Sequence, residues 1–175
     1  PGMGIFIADP HRETPVSDIS KETLEASLTI FKDGIDNGAG FVMTAHGIYK
    51  NIDPDNTATF SSRIVEGILK KQLNFQGIIV TDDLSGMSLG VSTEISLADA
   101  GILALRAGHN LLMFSHYQEK TKDAFDEMLG KIQKDPELLS IIEYNNKKII
   151  DNKRSKLLSD SSSRIEGTKK VLIRC

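Results

Sequence analysis

A chain of 175 residues with 39% apolar, 26% charged and 6% aromatic residues has the composition of an ordinary globular domain, which excludes a disordered or fibrous protein. The 21 Lys and Arg against 24 Asp and Glu leave a net charge of -3, and the basic residues form no stripe that would neutralise phosphates, so nucleic acid is not an expected partner. No apolar run approaches the ~20 residues that span a bilayer and no charged-then-apolar leader opens the chain, so the expectation is no membrane partner and a cytoplasmic location; the single cysteine, Cys175, builds neither an internal disulfide nor a Cys-based zinc site.

Ser20 is an N-cap candidate for a helix over Lys21 to Asn37, where Leu24, Leu28, Phe31 and Ile35 recur at helical spacing before Gly38 stops it. Phe41 to Ala45 is a short apolar run with little alternation, the pattern of a strand covered on both faces, and it ends at His46. A turn-rich loop from Asn51 to Thr59 leads into a second helix, Ser61 to Leu73, striped by Ile64, Ile68, Val65 and Leu69. Gly77 to Thr81 repeats the buried-strand pattern and ends on Asp82 and Asp83. Ser96 with Asp99 reads as a capping box for a helix that runs to Ala107 and stops at Gly108, and Asn110 to Phe114 is the next strand. Gln118 to Lys134 and Pro136 to Arg154 read as charged helices, Val171 to Ile173 as a candidate strand, and residues 156–175 as a mobile tail behind a domain of residues 1–155.

Strand starts at 41, 77 and 110 lie 36 and 33 residues apart, near the ~31 per unit of a (β/α)8 barrel of ~250 residues. Repeated βα units imply a parallel sheet. Three strands cannot close a barrel, so the chain is either a smaller open α/β sheet or a barrel with part missing. The opening Pro1-Gly2-Met3-Gly4, without an initiator methionine, reads as the inside of a loop and points to the second.

In parallel α/β folds the loops leaving the C-terminal strand ends build the site. Asp82 and Asp83 stand at one such end. Two adjacent carboxylates beside an apolar strand cost several kcal/mol unless paired or hydrogen-bonded, so a fold that puts them there uses at least one. Asp82, first off the strand, takes the functional reading, and Asp83 the plainer one of capping the next helix. Asp9 and His11, two apart on a loop stiffened by Pro10, form an acid and imidazole pair suited to proton transfer, although most such triplets in loops are idle. His46 sits at a strand end, where a lone histidine is more often a satisfied buried ring than a ligand; His109 precedes the third strand as a structural residue, and His116 follows it where it can meet a substrate. Four histidines so dispersed show no metal-ligand spacing, and neither a Gly-Lys-Ser/Thr phosphate loop nor a Gly-x-Ser-x-Gly elbow occurs, so no metal and no cofactor are expected.

Taken together, these segments resemble the catalytic barrel of glycoside hydrolase family 3, in its β-N-acetylhexosaminidase (NagZ-like) branch. Pro1-Gly2-Met3-Gly4 is similar to the end of that family's Lys-His-Phe-Pro-Gly-His-Gly segment, and Asp9-Pro10-His11-Arg12-Glu13-Thr14-Pro15 to its Asp-x-His loop. Val42-Met43-Thr44-Ala45-His46, Thr57-Ala58-Thr59-Phe60-Ser61, Asn74 through Leu84, and Ala107 through Met113 follow in the family's order over roughly Pro1 to Lys153. The resemblance implies a (β/α)8 TIM-type barrel of which only the second half, about four βα units plus C-terminal helices, is in this chain. The N-terminal half-barrel is then expected elsewhere in the same gene, and the isolated 175 residues are expected to be inactive. It also implies that Asp82 is the nucleophile, His11 the general acid/base supported by Asp9, and His46 and Met87 contacts of the substrate pocket. Met3 stands where the family has His, and Gly86 reads as an insertion before Met87; neither change removes a reacting group.

The implied activity is retaining hydrolysis of terminal β-linked N-acetylglucosamine, of muropeptide or chito-oligosaccharide type, with a small carbohydrate as the partner. A neutral histidine repels no incoming anion, which leaves phosphate open beside water as the acceptor. Zero Trp and three Tyr give few stacking platforms, which suits a short end-on sugar pocket. The alternatives are another family 3 β-glycosidase, of β-glucosidase type, and a metal-dependent phosphatase-like α/β domain.

Overall fold

Two helices begin where the sequence supplies a cap. In a computed structural model that describes residues 2, 4, 6–9, 12–85, 95–116 and 118–164, Ser20 Oγ accepts the Thr23 N–H at 3.2 Å and opens α1 (Lys21–Asp36). Ser96 Oγ accepts the Asp99 N–H at 3.0 Å and opens α2 (Leu97–Ala107), which Gly108 ends in the left-handed region at φ +112°. Between them, Arg63–Gln72 winds as a π-helix, and the Leu73 N–H continues the winding by donating to the Ile68 carbonyl five residues back at 2.9 Å. The apolar stripe foreseen there, Ile64, Val65, Ile68 and Leu69, is buried. Spacing finds the face of such a helix but not its winding.

Two parallel sheets follow from the βα alternation. β1 (Val16–Ser17) pairs with β3 (Ile48–Tyr49), two strands too short to announce themselves by pattern. β2 (Phe41–Met43), β4 (Ile78–Asp83) and β5 (Leu111–Met113) form a parallel sheet in the order β2-β4-β5. Register sets Val42 beside Ile79 and Met43 beside Val80. Val42 and Ile79 pack with Leu24 and Leu28 of α1 and with the buried stripe of the π-helix. A second cluster of Ala98, Leu105, Met128, Ile132 and Leu138 joins α2 to α3 (Gln118–Ile132) and to the start of α4 (Pro136–Arg164).

Two expectations change. β2 is not covered on both faces: Phe41 and Met43 are 53% and 47% exposed, while Val42 packs against α1 and the π-helix. The helix expected to end at Arg154 runs on to Arg164, so the segment assigned to a tail from residue 156 begins inside a helix. No Gly or Pro interrupts the chain from Glu137 to Glu166, and serine alone is a weak helix breaker. Val171 to Ile173 lie outside the described residues. Among the described residues, no helix is long and apolar enough to cross a membrane.

Candidate active site

β4 ends on the two acids. Residues two apart on a strand share a face, so Asp82 projects on the side of Val80 and of Met43, which is 47% exposed, whereas β4 shifts register against β5 between Val80 and Asp83. Asp82 is half-buried and Asp83 buried. The Asp82 N–H donates to the Thr44 carbonyl at 3.2 Å, and Asp82 Oδ1 accepts the Asp83 N–H at 2.8 Å, which orients its carboxylate at the strand end.

Asp83 is the hub of the adjoining loops. Its Oδ1 accepts from the Ser85 N–H at 2.9 Å, the Ser85 hydroxyl at 2.6 Å and the Ser115 N–H at 3.0 Å. Its Oδ2 accepts from the Ser115 hydroxyl at 2.5 Å and from His116 Nδ1. Burial alone would raise the carboxyl pKa, but these hydroxyls and amides hold it well below the usual carboxylate range. The capping role expected for Asp83 therefore falls to Ser96, and Asp83 instead fastens the loop after β4 to the loop after β5.

His46 is fully buried with both ring nitrogens engaged. The Asp83 carbonyl can only accept, so Nε2–H donates to it at 3.0 Å, and Nδ1 accepts from the Thr59 hydroxyl at 2.6 Å. Burial lowers the pKa of the ring and keeps it neutral. His46, implied above as a contact of the substrate pocket, thus has both ring nitrogens bonded within the chain, beside the two acids. His109 repeats the device: Nδ1–H donates to the Ala104 carbonyl at 3.0 Å, Nε2 accepts from the Thr44 hydroxyl at 2.8 Å, and burial brings the pKa down to about 4.

Asp9 is exposed, 3.6 Å from Arg12, and its carbonyl accepts the Arg12 and Glu13 N–H groups at 3.0 and 3.1 Å in a turn. His11 and Met87 lie outside the described residues. The opening loop is anchored by contacts the sequence did not announce. Phe6 packs edge-on against Tyr49 with ring centroids 5.1 Å apart, and the Tyr49 hydroxyl donates to the Gly2 carbonyl at 2.6 Å. Gly47 makes room, since a Cβ there would sit 2.2 Å from the Phe6 ring. Tyr49, counted among the few candidate stacking platforms, is thus buried in that anchor.

The profile described as the glycosyl hydrolase family 3 N terminal domain matches residues 1–156. A beta-hexosaminidase of Methylobacillus flagellatus is 30% identical over 142 residues, covering 81% of this chain and 39% of the relative. One from Nitrosomonas eutropha is 36% identical over 134 residues, covering 76% and 36%. Among solved structures, the beta-N-acetylhexosaminidase from Beutenbergia cavernae superposes with a TM-score of 0.69 at 34% identity, over 79% of this chain and 40% of that one. A family 3 beta-N-acetylglucosaminidase from Paenibacillus gives 0.76 at 26%, over 95% and 30%. The chain spans under two fifths of the length of these two curated relatives.

Proposed function

Because the chain belongs to glycosyl hydrolase family 3, matched over residues 1–156, we propose that it forms the second half of a (β/α)8 catalytic barrel in a retaining exo-glycosidase that removes terminal β-linked N-acetylglucosamine. The names of the relatives, beta-hexosaminidase and beta-N-acetylglucosaminidase, support that substrate class over a glucoside. The exposed side chains of Phe41 and Met43 on β2 are what the interior of a closed barrel would enclose, and the remaining strands would then be supplied by an N-terminal half-barrel.

The observation that carries the reading is Asp82. It stands half-buried at the C-terminal end of a central parallel strand, with one oxygen held by a backbone N–H and its neighbour Asp83 held in place by five donors. In the proposed reaction a carboxylate oxygen of Asp82 attacks the anomeric carbon as the glycosidic C–O bond breaks. His11 as imidazolium, supported by Asp9, gives its proton to the leaving oxygen. Water then attacks the same carbon, its proton passes to His11, and the Asp82 carboxylate is released. His46 donates to the Asp83 carbonyl beside this site, and the family resemblance assigns Met87 a contact with the sugar.

The test is hydrolysis of a chromogenic β-N-acetylglucosaminide by the full-length protein beside Asp82→Asn and His11→Ala. Loss of at least about a hundredfold in kcat is expected for each, the scale of a missing acid/base or nucleophile. Wild-type turnover in both variants rejects the assignment.

A further inference from the structure

β4 meets its two neighbours differently around Asp82. Toward β2 the pairing is regular: Met43 lies beside Val80, and just past β2 the Thr44 N–H donates to the Val80 carbonyl at 3.0 Å while the Thr44 carbonyl accepts the Asp82 N–H at 3.2 Å. Toward β5 it is not. Val80 is in register with Leu111 and Asp83 with Met113, so a span of three residues on β4 faces a span of two on β5, and the extra residue falls at Thr81 or Asp82. One extra residue in one strand of a pair is a bulge, which bends the strand and re-aims the side chains beside it.

A side chain holds this bulge. The Met113 N–H donates to Thr81 Oγ1 at 3.0 Å, a hydroxyl acceptor standing within a backbone ladder, and the Met113 carbonyl accepts the Leu84 N–H at 2.9 Å one residue past β4. Thr81 is fully buried, so its hydroxyl meets no sugar and acts through the main chain alone. Asp82 follows it directly, with its N–H on Thr44 and its Oδ1 accepting the Asp83 N–H at 2.8 Å. The direction of the Asp82 carboxylate is therefore set by the path of the backbone from Thr81 to Asp83, and the bond from Met113 to Thr81 fixes that path on the β5 side.

We propose that Thr81 is a positioning residue for the reaction at this site, its hydroxyl pinning the bulge of β4 to β5 and so aiming the Asp82 carboxylate at the anomeric carbon. The inference rests on the glycosidase reading and adds to it how the nucleophile is aimed. Attack requires the reacting atoms about 3 to 3.5 Å apart and aligned, and a misplacement of about 1 Å can cost about a hundredfold in rate. A nucleophile that is present but misaimed lowers kcat and kcat/KM alike and leaves KM in place.

The experiment compares Thr81→Val, which keeps the branched shape and removes the hydroxyl, with Thr81→Ser, which keeps the hydroxyl, in the full-length protein. On a chromogenic β-N-acetylglucosaminide, Thr81→Val is expected to lose about ten- to a hundredfold in kcat with KM changed by less than about twofold, and Thr81→Ser to restore most of the rate. Labelling by a 2-fluoro sugar should slow by the same factor, because it reads attack by Asp82 directly. If Thr81→Val does not fold, Thr81→Ala against Thr81→Ser, alike in lacking the methyl group, carries the same comparison. If variants without the hydroxyl lose stability yet turn over and take the label at the wild-type rate, Thr81 is only structural and the inference falls while the glycosidase reading stands. If the wild-type protein neither hydrolyses the glycoside nor takes the label, the glycosidase reading falls and the inference with it.

Discussion

His46 Nε2 donates to the Asp83 carbonyl at 3.0 Å, tying the residues just past β2 to the end of β4 beneath the two acids. The ring is enclosed and its other nitrogen is taken by Thr59, so truncation strands the Asp83 carbonyl beside a cavity and leaves the Thr59 hydroxyl only the Ala45 carbonyl at 3.3 Å. His46→Ala is expected to cost about 3 kcal/mol, seen as a lower denaturant midpoint. An unchanged midpoint would show that the tie is not structural.

Stability should fall in mild acid because of the buried histidines. Unfolded, His109 takes its proton near 6.5; folded, burial brings it down to about 4. The unfolded chain therefore binds more protons between these limits. The stabilisation is complete above about pH 6.5 and is lost as pH falls through about 4, with His46 adding in the same direction. For His109 the gap is worth about 3 kcal/mol. Urea midpoints measured from pH 7.5 to pH 4 should drop accordingly, and His109→Gln should flatten the slope.

Asp83 acts in a lower window. Its folded-state pKa is depressed, so its contribution is present above the unfolded value near 3.9 and is lost as pH falls through the folded one. Asp83→Asn keeps the shape but offers one acceptor oxygen where two now meet Ser85, Ser115 and His116. A loss of about 2 to 4 kcal/mol at neutral pH is expected, together with a flatter acid limb below about pH 4. Thermal melts at pH 7 and pH 3 read both effects.

Two glycines should respond in opposite directions. A Cβ on Gly77 would lie 2.5 Å from the Gly40 carbonyl and 2.4 Å from the Phe75 ring, and that carbonyl is pinned by the Ile78 N–H. Gly77→Ala should cost about 1 to 3 kcal/mol. Gly34, inside α1 with open space around it, should gain about 0.5 to 1 kcal/mol on Gly34→Ala. Unfolding of the two variants side by side checks the pair.

Much of the fold was legible because its cues are local. Ser20, Ser96 and Gly108 act at one helix end each, and the stripes of α1 and the π-helix report burial directly. Asp82 and Asp83 were found as a pair because they terminate a strand. What separates their surroundings is burial, half for Asp82 and nearly complete for Asp83, and that needed the packing of the loops after β4 and β5. The role of Asp83 depends on Ser115 and His116, 32 and 33 residues away, and no local pattern joins them. The enclosure of His46 depends on Thr59 and on β4 for the same reason, and the Phe6 to Tyr49 anchor spans a loop with no periodicity to read.

The most direct measurement on the central claim is mass spectrometry of the full-length protein after reaction with a 2-fluoro sugar that forms the glycosyl-enzyme but hydrolyses slowly. The account predicts one added sugar, on the peptide that runs through Val80-Thr81-Asp82, and none on Asp82→Asn. A sugar attached elsewhere, or active enzyme that never carries one, contradicts it.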